Sequence, residues 1–69
     1  MTVPNEKLIK MAEQIAANVT LSREPETVAT ATVDHIQRFW DPRMRQNFLS
    51  IEPSTLSEVL ALAQSKMNT

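Results

Sequence analysis

The sequence predicts a small all-α protein, a compact bundle of about four short helices at about 5–19, 25–40, 42–50 and 55–65. Three observations predict it. Apolar residues recur at three- and four-residue spacing in each stretch, the period of a helix with one buried face. Prolines and capping residues punctuate the boundaries, at Pro25, Asp41-Pro42, Glu52-Pro53 and Thr55-Leu56-Ser57-Glu58. The chain also has no glycine, so its corners are expected to use proline and side-chain caps rather than positive backbone angles.

The first helix rests on Leu8, Met11, Ala12, Ile15, Ala16 and Val19, which form one apolar stripe. Lys7, Lys10, Glu13, Gln14 and Asn18 take the other side, and Asn5 is the expected N-cap. The pattern breaks at Thr20–Pro25. Ser22 or Glu24 can cap a second helix opened by Pro25, and Glu26 suits its positive N-terminus. Ala29, Val33, Ile36 and Trp40 make its stripe, widened by Val28, Thr32 and Phe39. Residues 27–33 are rich in β-branched side chains, so a strand competes there. The helical spacing carried on through Ile36 and Trp40 favours helix.

Pro42 disfavours helical geometry at Asp41, which ends the second helix near Trp40. Asp41 then serves as N-cap of a third, with Met44, Phe48, Leu49 and Ile51 turned inward. Glu52-Pro53 stops it by the same logic. Thr55–Glu58 reads as a capping box for the fourth, whose inner face is Leu56, Val59, Leu60 and Ala63. Loose ends are expected at about 1–4 and 66–69 of a single domain spanning 1–69.

Composition narrows the function. A 69-residue domain buries little surface and is marginally stable, and with no cysteine it has no disulfide to help. A partner surface or self-association is the physical expectation. Net charge is −1, which argues against an electrostatic grip on nucleic acid or an anionic membrane. No apolar run approaches the ~20 residues that span a bilayer, and the start lacks the pattern of a secretion signal. The expectation is a soluble, cytoplasmic protein.

Catalytic chemistry has few candidates. There is one His, no Cys and no Tyr, and Glu13, Glu24, Glu26 and Asp41 are scattered without metal-ligand spacing. His35 adjoins Asp34, and neighbouring helix positions do not face one another. Neither catalytic, cofactor-binding nor metal residues are assigned. The dense stretch is 34–45, which holds the single Trp and His and three of seven basic residues. Arg43 and Arg45 sit where a helix dipole opposes positive charge by roughly 0.3–1 kcal/mol, offset if Asp41 contacts Arg45. Solvated surface charge over Trp40 is one reading. The other is a partner-binding corner of His35, Arg38, Trp40, Arg43 and Arg45, since Arg and Trp often anchor interfaces.

Two blocks then resemble a known family. Residues 7–18 (KLIKMAEQIAAN) are similar to the opening helix of the delta subunit of bacterial NAD-dependent formate dehydrogenase. Residues 33–45 (VDHIQRFWDPRMR) resemble its second signature: a His, an aromatic pair and a Pro–Arg–Met–Arg corner. The resemblance spans about 5–65. It implies a non-catalytic accessory subunit acting in assembly, maturation or stabilisation by docking on a larger subunit, first the catalytic alpha subunit. It also implies that the larger subunits carry a molybdenum or tungsten pterin, iron–sulfur clusters, FMN and NAD. This chain departs from the family pattern at Ser50–Ser54, which lacks glycine. Two other classes stay open. One is a helix-turn-helix-like DNA-binding regulator reading bases through Arg43, Arg45, Gln46 and Asn47. The other is a self-associating module that closes a homodimer.

Overall fold

The computed structural model describes residues 4–68. The loose lead-in expected at 1–4 therefore lies, apart from Pro4, outside the described residues, as does Thr69. Four helices follow one another: α1 Asn5–Asn18, α2 Pro25–Phe39, α3 Pro42–Leu49 and α4 Glu58–Met67, with a 3₁₀ turn at Pro53–Thr55 before the last. There is no strand among the described residues, so the all-α expectation holds. The competing strand at 27–33 is a helix, with Val28, Ala29, Thr32 and Ile36 buried at helical spacing. Thr30 and Thr32 donate their hydroxyls to the Glu26 and Val28 carbonyls at 2.9 and 2.7 Å.

The core is drawn from all four helices. Leu8 and Ala12 of α1, Ile36 of α2, Trp40 after it, Phe48 of α3, Ile51 after it and Leu60 of α4 form one buried cluster. Met11, Ile15, Ala16, Met44, Leu56 and Met67 pack around it. The inward faces of α1 and α3 are thus those the periodicity indicates. The most extensive helix–helix contact is α2 with α4. Both carry small buried residues, Ala29 and Thr32 in α2 and Ala63 in α4, which let two backbones approach closely.

Several local details differ from the sequence reading. The N-cap of α1 is Pro4, not Asn5, and no side chain caps it; Asn5 is already helical. Neither Ser22 nor Glu24 caps α2 through its side chain. The Ser22 hydroxyl instead accepts from the Glu24 amide at 3.2 Å, within the connection. The fourth helix begins at Glu58, three residues beyond the expected start. Pro53 draws Thr55 into a 3₁₀ turn, and Ser57 takes over as cap, accepting from the Leu60 amide at 3.3 Å. Its other end runs to Met67 rather than 65. Met67 packs on the core, and Lys66 pairs with Glu26 of α2 at 3.0 Å.

The corners follow the no-glycine expectation. None of the described residues has a positive φ. The chain turns instead through extended residues: Glu24, Trp40, Asp41 and Glu52 all have ψ between 121° and 164°. Pro25, Pro42 and Pro53 then open the next element, their fixed φ already suited to a first helical turn.

Candidate functional site

Trp40 and Asp41 form the extended elbow between α2 and α3, and its geometry is set by two hydrogen bonds. Asp41 Oδ1 accepts from the Met44 amide at 2.9 Å, the expected N-cap. The expected Asp41–Arg45 side-chain pairing is absent; the two meet through the backbone, the Arg45 amide donating to the Asp41 carbonyl at 3.1 Å. Arg45 Nη1 reaches back and donates to the Gln37 carbonyl at 3.3 Å. That carbonyl belongs to the last turn of α2, where helix carbonyls lack intrahelical partners and the dipole is negative. The arginine that α3's own dipole disfavours is thereby placed against the opposite pole of α2.

The elbow separates its two aromatic rings. Trp40 is 7% exposed and meets Phe48 edge-on, with ring centroids 5.9 Å apart and planes at 88°. Its position in the Ala29–Val33–Ile36–Trp40 stripe holds: it is a core residue, and its side chain leaves little surface for a partner. Phe39, placed on the inner stripe by the sequence reading, is 73% exposed. Consecutive helical residues diverge by about 100°, so only one of the pair can face the core. Phe39 rests on His35 one turn earlier, with centroids 4.7 Å apart.

The other candidate residues surround this ring in sequence. Arg38 is exposed and pairs with Asp34 at 3.3 Å, with side chains 70% and 64% exposed. Pairs this wet contribute little stability and are easily exchanged for a new partner. Arg43 is exposed, and no side-chain partner holds it among the described residues. Arg45 and His35 are half-buried. A groove of about 360 Å³ between α1 and α2 is lined by Met11, Gln14, Ile15, Asn18, His35 and Trp40. Among the described residues, no three His, Asp or Glu side chains converge in a way that could hold a metal ion. The arrangement offers hydrogen-bond donors, positive charge and an aromatic face, which suit recognition of another surface.

The comparison with protein families decides what kind of chain this is. The model of the NADH-dependent formate dehydrogenase delta subunit, FdsD, matches residues 7–65. The chain belongs to this family. The match enters α1 at its third residue, includes α2, the elbow and α3, and stops two residues short of the end of α4. No curated protein and no solved structure gave a significant match. In this delta-subunit chain the Asp41 cap at the elbow gives a direct test. Asp41→Ala is expected to lower stability by about 1 kcal/mol through loss of the Met44 bond, read by urea denaturation. An unchanged midpoint would show that the cap does not stabilise the elbow.

Proposed function

We propose that this chain is a non-catalytic accessory subunit of an NAD-dependent formate dehydrogenase, docking on a larger subunit and acting in assembly, maturation or stabilisation of the complex. The family match over residues 7–65 is the observation that carries this reading. Three features support it. A 69-residue bundle has a small core and gains stability from any surface that binds its folded state. The α2–α3 elbow presents Arg38, Arg43 and the Phe39 ring to solvent. Among the described residues no group of three or more His, Asp or Glu is placed to hold a metal ion.

In this reading the chain docks first on the catalytic alpha subunit. The molybdenum or tungsten pterin, iron–sulfur clusters, FMN and NAD belong, in this reading, to the larger subunits. The setting, in this reading, is the bacterial cytoplasm. A DNA-reading role is less well supported. Of the four side chains it needs on α3, Arg45 is engaged with Gln37 and Asn47 is half-buried.

Deleting this chain in its host tests the proposal. Larger subunits purified from the deletion strain should show fewer complete complexes and lower formate-dependent NAD reduction per catalytic subunit. Supplying the chain in trans should restore both. Equal composition and activity with and without it would overturn the accessory role.

A further inference from the structure

The exposed phenylalanine at the elbow lies in a stretch with three of the chain's seven basic residues. Residues 34–49 hold three arginines against two carboxylates, a net +1, in a chain whose total is −1. The remaining residues therefore carry −2. Of the two carboxylates, Asp34 pairs with Arg38 and Asp41 accepts from the Met44 amide. Arg43 is exposed with no side-chain partner among the described residues, so net positive charge remains in the stretch that holds the exposed ring.

Phe39 also continues an existing depression. Its ring lies on His35 at 4.7 Å, and His35 is part of the wall of the α1–α2 groove. Met11, Ile15 and the edge of Trp40 supply apolar surface along that groove. From groove to ring the surface runs from apolar to aromatic, and Arg38 and Arg43 flank the ring in sequence. Phe39 is left 73% exposed, outside the core, with its ring against His35. On the surface of a small subunit it is suited to be an interface anchor: rigid, large and cheap to order on binding.

We propose that the α1–α2 groove and the Phe39 rim receive an apolar segment of a larger formate dehydrogenase subunit that is flanked by carboxylates, with Phe39 as the buried anchor and Arg38 and Arg43 pairing with the flanks. This rests on the accessory-subunit reading above and specifies the chemistry of its partner. Charge complementarity selects the occupant. A second copy of the chain would bring the same cationic elbow, so joining two such faces would oppose like charges.

The test uses the larger subunits, produced together without this chain, as the immobilised probe. Full-length wild type, Phe39→Ala, Arg43→Glu and, as a control, Leu21→Ala are compared. Leu21 is fully exposed and lies in the α1–α2 connection. Phe39→Ala and Arg43→Glu are expected to weaken binding at least tenfold with unchanged thermal midpoints, while Leu21→Ala binds like wild type. Wild-type binding should weaken as salt rises. If wild type binds and both elbow variants bind equally well, the groove-and-rim assignment is wrong while the accessory role stands. If wild type does not bind at all, the accessory reading itself fails. If Phe39→Ala instead dissociates a wild-type homodimer in sedimentation, the face belongs to a second copy and the proposal is overturned.

Discussion

Phe48→Ala is expected to remove about 3–5 kcal/mol of stability, the range for deleting a buried phenylalanine. A domain of this size has roughly 3–10 kcal/mol in total, so most of the variant is unfolded or nearly so at room temperature. Phe48 is fully buried, and it is the ring against which Trp40 packs. Its loss therefore leaves a cavity and also loosens the elbow, because the chain turns at Trp40. The Trp40–Phe48 geometry adds about 0.5–1.5 kcal/mol beyond the buried area. Far-ultraviolet circular dichroism should show a thermal midpoint lower by more than about 12 °C. Emission from the single tryptophan should shift toward that of the unfolded chain. A loss below about 1 kcal/mol would mean that the four helices do not share the core described here.

The second large effect concerns a residue that no sequence pattern marks. Gln64 lies on the inner side of α4 and is 4% exposed. Its amide donates to the Phe48 carbonyl at 3.0 Å, the Leu49 carbonyl at 3.4 Å and the Ile51 carbonyl at 2.7 Å. These groups end α3, where carbonyls run out of intrahelical amides. The Phe48 carbonyl also receives the Ile51 amide at 3.2 Å, so the Ile51 carbonyl depends most on Gln64. Gln64→Leu keeps the volume and removes the donor. Leaving a buried acceptor unmet costs about 1–3 kcal/mol, and the expected loss is about 2–3 kcal/mol by urea denaturation.

Gln64→Glu separates hydrogen bonding from packing. A carboxylate there faces carbonyl oxygens with no proton to give, whereas the protonated acid can donate one. Its deficit relative to wild type should be larger at pH 7 than at pH 4. A Gln64→Leu variant as stable as wild type, or a Glu variant without that pH dependence, would show that α4 does not tie off α3.

The contrast between Phe48 and Gln64 shows what a sequence of this kind discloses. Phe48 sits at helical spacing from Met44 and Ile51, so its burial follows from periodicity. The proline-opened helices and the Asp41 cap were legible for the same reason: they depend on residues next to one another in the chain. Gln64 was not, because its partners lie 13–16 residues away, and a polar residue on a helix is assigned to water by default. Ser57 shows the same limit in smaller form. Both Thr55 and Ser57 are good caps, and only the 3₁₀ turn forced by Pro53 selects the second.

The candidate site was legible in location but not in detail. Its charged residues lie close together in sequence, so 34–45 stood out. Which of two adjacent aromatics faces inward depends on the stripe's register against Phe48, a contact made across the bundle. The core takes Trp40 and leaves Phe39 outside. Arg45 follows the same rule: it passes over Asp41, one turn away, to reach the unpaired end of α2. Long-range geometry thus decides which of the two aromatics is exposed.

The most direct measurement is whether the purified full-length chain binds larger formate dehydrogenase subunits produced in its absence. Size-exclusion chromatography with mass-spectrometric identification of each peak reads this without an activity assay. The accessory-subunit account predicts co-elution with a complex containing the catalytic subunit at micromolar concentrations. Elution of the chain at its own small size across that range, with the larger subunits unshifted, would contradict it.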